Sequence, residues 1–342
     1  MIRKKIAGAV LAAVMTASFI LSGCSADNTI DPATTVATIG DNKVSFGLAN
    51  ILLRMQQATY DTYYKQYFGD NMWNDDSDGT GETLGENIKK GVLDSFKEMF
   101  AADAHKGDYK VELTEDEKKK IQETAKSFMN SNGNTVKSGY AVTREEDVVQ
   151  LLTLYTIRTK VANAIKATVD KNVTDEEAAQ RKYSYISFDI GPKYDDDGNE
   201  TERTAEEKEE IRKKAAKLLE DLKAGGKMED LAESLGEKMT TDTYGKDDDG
   251  TVQEFRDAAD KLKKEGEYSD VVETESLVFV MRLDSDFDRE ATDTKKKSII
   301  SDREEAKYTE VTKPWQDALE IKTEEIWSKV GFERTMAFAQ GK

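Results

Sequence analysis

The chain has little from which the commonest active sites are built: among its 342 residues there is one histidine, His105, and one cysteine, Cys24. A single imidazole excludes Ser-His-Asp and Cys-His catalysis away from His105, and it excludes metal centres that need two imidazoles. His105 itself falls at the end of a helical stretch among charged neighbours, where a histidine serves as a favourable C-terminal cation. A lone thiol rules out disulfide staples. Positive charge is also scarce: 50 Lys and Arg against 68 Asp and Glu give a formal charge of −18. Such a field repels phosphate backbones and anionic head groups, so no nucleic-acid partner is expected. No cofactor is expected either. Asn74-Asp75-Asp76-Ser77-Asp78-Gly79 resembles the first half of an EF-hand loop, but its twelfth position is Gly85 instead of a bidentate Glu, and no metal site is assigned.

The first residues do hold a leader pattern. Arg3, Lys4 and Lys5 precede an almost uncharged apolar run from Ile6 to Leu21, and the polar stretch Ser25-Ala26-Asp27-Asn28-Thr29 comes after Gly23-Cys24 with no positive stop-transfer flank. The run falls short of the roughly 20 apolar residues of a spanning helix, so cleavage is expected, not insertion. Leu21-Ser22-Gly23-Cys24 resembles a lipobox, in which small residues fit the peptidase and the thiol receives diacylglycerol before the bond on its N-terminal side is cut. Cys24 is therefore the expected lipidation site. Acyl chains bury methylenes at about 0.8 kcal/mol each, and two of them hold a protein firmly at the membrane face. The expected location is extracytoplasmic, anchored to the outer face of the cell membrane, with the membrane a partner through lipid alone. Removing residues 1–23 takes three cationic and no acidic side chains, leaving 47 basic against 68 acidic residues and a formal charge of −21.

The body is polar, 37% hydrophobic and 35% charged, yet 12 Phe, 13 Tyr and 3 Trp suffice for two modest cores. Residues 24–35 read as a tether. Val36 to Ser45 gives two short alternating runs about Gly40-Asp41-Asn42, and Phe46 to Phe68 takes helical spacing, so strand, turn, strand and long helix are predicted. Helices are predicted from about Glu86 to His105, from the acidic start Thr114-Glu115-Asp116-Glu117, and from Thr143 to about Val169. Thr174 caps a short helix, and Arg181 to Phe188 alternates as a strand. Next come helices over Ala205–Ala224, Met228–Leu235 and Val252–Lys264, with a Gly225-Gly226 stop and a Gly/Asp loop between them, and a strand over Leu277–Leu283. Thr292 to Ala339 reads as helical, with Trp315 and Trp327 as apolar anchors. Tyr60, Tyr63, Tyr64, Tyr67 and Phe68 form an aromatic stripe on the first long helix that serves either as core or as part of a client groove.

Two stretches carry a resemblance. Lys223-Ala224-Gly225-Gly226-Lys227-Met228-Glu229-Asp230-Leu231-Ala232 is similar to the helix entry of parvulin domains, and Glu254-Phe255 through Ala258-Ala259, Leu262-Lys263, Gly266-Glu267, Ser269 and Val272 is similar to a second parvulin run. With the element order, this makes the chain similar to the extracytoplasmic parvulin-type folding factors of the PrsA and SurA kind. The resemblance implies an α+β fold: a helical chaperone lobe made from 36–175 and a returning C-terminal segment, 289–342, with a small parvulin-like insert at 176–288. It also implies a site, and the site is degenerate. Tyr185 and Phe279 stand where the family has its two histidines, Asp260 stands for the pocket phenylalanine, and the glycine-rich acid segment is shortened to Lys246-Asp247-Asp248-Asp249-Gly250-Thr251. Isomerisation lowers a barrier of about 18–20 kcal/mol through a shaped apolar cradle, and a carboxylate at Asp260 would oppose one.

The expected function is therefore a membrane-anchored chaperone or foldase for unfolded secreted proteins, without significant prolyl isomerase activity. Met228, Phe255, Tyr60, Tyr64 and Tyr67 are the candidate client-binding residues, and a homodimer stays open. The alternatives are an active isomerase using Tyr185, and a solute-binding or cell-wall structural lipoprotein; the latter lacks the alternating strands and helices that solute capture favours.

Overall fold

The computed structural model describes residues 19–22 and 30–338, apart from 77, 78, 80, 134, 137–140, 196, 247, 249 and 333. Its first element, β1, is Phe19–Ser22. The predicted hairpin comes next: β2 (Thr35–Ile39) turns through Gly40-Asp41 into β3 (Asn42–Ser45). Gly40 takes the first position of the two-residue loop at φ +56°, a conformation in which a side chain would be strained. Ser45 then caps α1 (Phe46–Tyr63), accepting the Leu48 amide at 3.2 Å and donating to Asp147 Oδ1 at 3.0 Å. A further helical turn covers Lys65–Phe68. Thr83 and Glu86 form a capping box at the start of α2 (Leu84–His105), and Thr114 and Glu117 form another for α3 (Glu115–Ser131). In α4 (Glu145–Lys166), buried Asp147 holds Arg144 through two bonds of 2.9 and 2.6 Å. A Cβ on Gly47 would stand 2.3 Å from Asp147 Oδ2, so only glycine lets α1 begin there.

The chain forms two compact units among its described residues: those up to Val169 with those from Glu304, and Asp170–Arg303. The second unit opens with β4 (Arg181–Asp189) and continues with α5 (Ala205–Lys223), α6 (Met228–Leu235), β5 (Met239–Tyr244), α7 (Gln253–Lys261), β6 (Val272–Glu273) and β7 (Leu277–Ser285). Its antiparallel sheet runs β5-β4-β7-β6. The register sets Tyr185 against Met281 and Ile186 against Val280, and the two-residue period sends these pairs to opposite faces. Ile186, Phe188, Val278 and Val280 pack under Leu218, Leu222 and Met228 of the α5–α6 side. Tyr183, Phe279, Met281 and Leu283 pack under α7.

Between α6 and α7 the residue pattern predicts only a loop, and β5 is the difference. Its residues Thr240 to Thr243 are exposed, so this edge strand offers none of the apolar alternation by which a strand is recognised.

The C-terminal expectation is corrected too. Helix α8 (Arg289–Asp317) stops three residues beyond Pro314 instead of running to Ala339. Beyond it lie β8 (Ile321–Thr323), one turn of helix at Glu325–Ser328, and β9 (Thr335–Phe338). Strand β8 joins β2, giving a three-stranded sheet β8-β2-β3, and β9 pairs with β1. The first unit's core gathers Leu48, Leu53, Phe96, Met99, Ile121 and Leu152 with Trp327. Trp315, with Tyr308 and Val311, packs on Ile157, Val161 and Ile165 of α4. No helix among the described residues is long and apolar enough to cross a membrane.

The fold class is thus α+β, a helical unit built from both ends of the described chain and a sheet-bearing unit between them.

Candidate functional site

In the second unit the residue types of α7 determine what the sheet can offer. Phe255, Ala258, Ala259 and Leu262 recur at helical spacing and face the sheet, and the two alanines let the helix settle close. Arg181 fixes its C-terminal end, donating to the carbonyls of Ala259 (3.0 Å) and Leu262 (2.6 Å) in the last turn and just beyond it. The Phe255 ring then becomes the hub of an aromatic cluster. Its centroid lies 6.0 Å from Tyr183, 5.8 Å from Tyr185, 6.2 Å from Tyr244 and 5.9 Å from Phe279. Tyr185 and Phe279 are themselves 5.9 Å apart. The two positions that the resemblance gives to histidines are therefore neighbours in space, and both are rings in a packed cluster.

Within it Phe279 is 2% exposed and Phe255 8% exposed. Burial pushes the Tyr183 hydroxyl up to about 12. Burial and then the Asp242 charge raise Tyr185, and burial followed by the Asp260 charge raises Tyr244. These hydroxyls stay protonated at neutral pH and offer donors but no base.

Two candidates are placed otherwise than their motifs suggest. Asp260 is exposed on the outer side of α7, so no carboxylate projects into the cluster; bulky rings, not charge, fill this face. Met228 is fully buried against the opposite face of the sheet, among Leu218, Leu222 and Val280. It presents no surface to a client and shares no pocket with Phe255. In the shortened acid segment Asp247 and Asp249 lie outside the described residues. Asp248 accepts the Gly245 amide at 2.7 Å and Gln180 Nε2 at 3.0 Å, and it pairs with Lys295. Burial opposes its charge, but those partners hold its carboxyl below the usual range. A groove of about 400 Å³ runs beside this pair, lined by Gln180, Lys182, Thr243, Asp288 and Lys295.

In the first unit the aromatic stripe divides. Tyr60 is half-buried, 5.2 Å from Tyr64 and 5.6 Å from Trp73. Tyr63, Tyr64, Tyr67 and Phe68 are 57%, 44%, 75% and 61% exposed, at the end of α1 and in the turn beyond it. Four large side chains are thus exposed in one short stretch. Sequence reasoning missed Trp73 and Phe332, which stack at 4.2 Å and 3° beside this stripe. It also missed the polar edge of α1. Arg54 donates to the Gly331 carbonyl (2.9 Å), Gln57 to the Arg334 carbonyl (2.5 Å), and Asp61 accepts the Met336 amide (2.8 Å) and Trp73 Nε1 (3.0 Å). The i, i+3, i+7 spacing of Arg54, Gln57 and Asp61, which puts them on one face of α1, was the available signal.

His105 ends α2, stacks on Trp315 at 4.2 Å and meets Asp108 at 2.8 Å. In the acidic loop Asp76 accepts the Gly81 amide, whereas Ser77 and Asp78 lie outside the described residues. Asp195 accepts the amides of Asp197 and Asn199, the turn expected there. Cys24 also lies outside the described residues.

Residues 195–285 match the family described as Rotamase: PPIC-type PPIASE domain. The match takes in Met228, Phe255, Asp260 and Phe279 and begins after the strand that carries Tyr185. No curated protein matches the chain. Among solved structures, the foldase protein PrsA of Streptococcus pneumoniae is 15% identical over 73% of this chain and 97% of its own, with a TM-score of 0.30. The peptidylprolyl isomerase PrsA of Bacillus cereus is 21% identical over 72% of this chain and 91% of its own, also at 0.30. A SurA-like chaperone of Campylobacter jejuni is 9% identical over 85% of this chain and 99% of its own, at 0.29. The family match bears out the parvulin resemblance read from the sequence.

Proposed function

We propose that the chain is an extracytoplasmic chaperone or foldase, anchored through Cys24 after loss of residues 1–23, that holds unfolded secreted polypeptides and has little prolyl isomerase activity. One observation carries the second half of this reading: Phe255, Tyr183, Tyr244 and Phe279 close the face on which a parvulin-type site would need an open apolar cradle, and no histidine stands behind it. Support for the first half comes from the match to PPIC-type domains and from the exposed aromatic end of α1. Clients are the partners this surface suits, because aromatic rings bind many sequences without demanding one shape.

The test is paired. The mature protein is assayed for delayed aggregation of an unfolded secreted substrate and, in the same preparation, for isomerisation of a proline peptide. Protection with isomerisation at the uncatalysed rate is expected; absence of protection sinks the chaperone reading.

A second reading, isomerisation by a substituted site, draws on Tyr185. It is only half-buried, packs against both Phe255 and Phe279, and keeps its proton. Catalysis that Tyr185→Phe abolishes would establish it.

A further inference from the structure

Strand β9 has two edges, and they are satisfied differently. On one edge the amides of Met336 and Phe338 donate to side chains of α1, Asp61 Oδ2 at 2.8 Å and Thr62 Oγ1 at 3.3 Å. Alternate residues of a strand direct their backbone groups to opposite edges. Thr335 and Ala337 therefore turn theirs to the other edge, where β1 lies antiparallel with Ile20 opposite Ala337 and Ser22 opposite Thr335. The two strands form a sheet of their own. Phe19–Ser22 belongs to the segment read as a removable leader, so cleavage before Cys24 takes away the partner of this edge. Helix α1 is already committed to the opposite edge and cannot replace it. Beside the strand, Tyr63 lies 6.5 Å from Phe338, and Lys65 reaches Thr335 Oγ1 at 2.8 Å.

We propose that the outer edge of β9, covered by the leader in the precursor, is the site at which the mature protein takes an extended apolar segment of an unfolded polypeptide by strand addition. The precursor is then self-blocked. This rests on the reading of the chain as a cleaved chaperone lipoprotein and adds to it the place and mode of capture. The occupant is defined by the segment already seated there, Phe-Ile-Leu-Ser in antiparallel register. Backbone bonds supply affinity without sequence selection.

The experiment measures binding of a fluorescent peptide spanning residues 17–23 to the mature chain, residues 24–342 with Cys24→Ser, by anisotropy. N-methylation of the peptide at Ile20 or Ser22 blocks the edge facing β9 and should weaken binding by about tenfold or more, whereas N-methylation at Phe19 or Leu21 should change it by less than about twofold. A full-length precursor bearing Cys24→Ser, which keeps its leader, should bind the peptide weakly and delay aggregation less than the mature chain does. If the mature chain delays aggregation but ignores the peptide, or binds all four methylated peptides alike, strand addition here is wrong while the chaperone reading stands. If aggregation is not delayed at all, the reading beneath it falls as well. Sedimentation of the mature chain as a dimer that the peptide dissociates would give the edge to a second copy and overturn the proposal.

Discussion

Replacing Phe255 with alanine tests whether the parvulin-type face is held shut by packing. The ring is almost wholly buried and touches four other aromatic rings. Truncating such a core phenylalanine costs about 3–5 kcal/mol, combining lost transfer energy with the cavity left behind. Relaxation should be poor here, because Arg181 pins the end of α7 through two backbone carbonyls and the sheet forms the opposite wall. At 1.36 kcal/mol per tenfold, the amides of β4 and β7 should exchange hydrogen about a hundredfold to several thousandfold faster in Phe255→Ala, provided they exchange through opening of the unit. Phe255→Leu keeps most of the volume and should cost less than about 1.5 kcal/mol. An acceleration below about tenfold in the alanine variant would refute the packed-hub account, because the face would then be loose enough to admit a ligand without cost. A gain of proline-peptide isomerisation by the same variant would show that occupancy by rings, not loss of histidine, is what silences the site.

Four further outcomes are expected. Tyr183 titrates near 12 in the fold against about 10 when unfolded, so its contribution to stability is complete below pH 10 and disappears as pH rises from 10 to 12; tyrosinate absorbance and unfolding should rise together in that window. Asp61→Ala removes the acceptor of both Trp73 Nε1 and the Met336 amide, and leaving these donors unpaired should cost about 1–3 kcal/mol each at most and quicken proteolysis within residues 331–338. Tyr67→Ala combined with Phe68→Ala changes exposed side chains only, so stability should stay within about 0.5 kcal/mol while aggregation suppression falls. Tyr185→Phe should leave the proline-peptide rate at background.

Where the sequence was legible, local chemistry was the reason. Gly40-Asp41 announced the β2–β3 hairpin, and Thr114 with Glu117 announced α3, because turns and caps are written in adjacent residues. Tyr185 and Phe279 could be read as non-histidines for the same reason. What filled the space around them could not, because the Phe255 hub depends on five residues from three strands and a helix. Met228 shows the limit from the other side: its place in a motif suggested a pocket, whereas packing of α6 with α5 put it on the opposite face of the sheet from Phe255. Strands β5 and β8 lack an alternating apolar face, and β9 alternates only through Met336 and Phe338 over four residues, too short a run to be told from a helical stretch. Their pairing partners are fixed by tertiary structure alone. The stack of Trp73 on Phe332 joins residues too distant in sequence for any periodicity to link.

The closure of the first unit by its far end sets an order of events. Ile39 pairs with Ile321, and Arg54 and Gln57 donate to the backbone carbonyls of Gly331 and Arg334. A chain emerging N-terminus first would display β2 and α1 before Ile321, Gly331 and Arg334, which supply these backbone partners, arrived. The sheet-bearing unit, Asp170–Arg303, is continuous in sequence and needs no such wait. Vectorial emergence therefore favours completing the inserted unit first and sealing the helical unit afterwards, with β8 acting as the latch on β2.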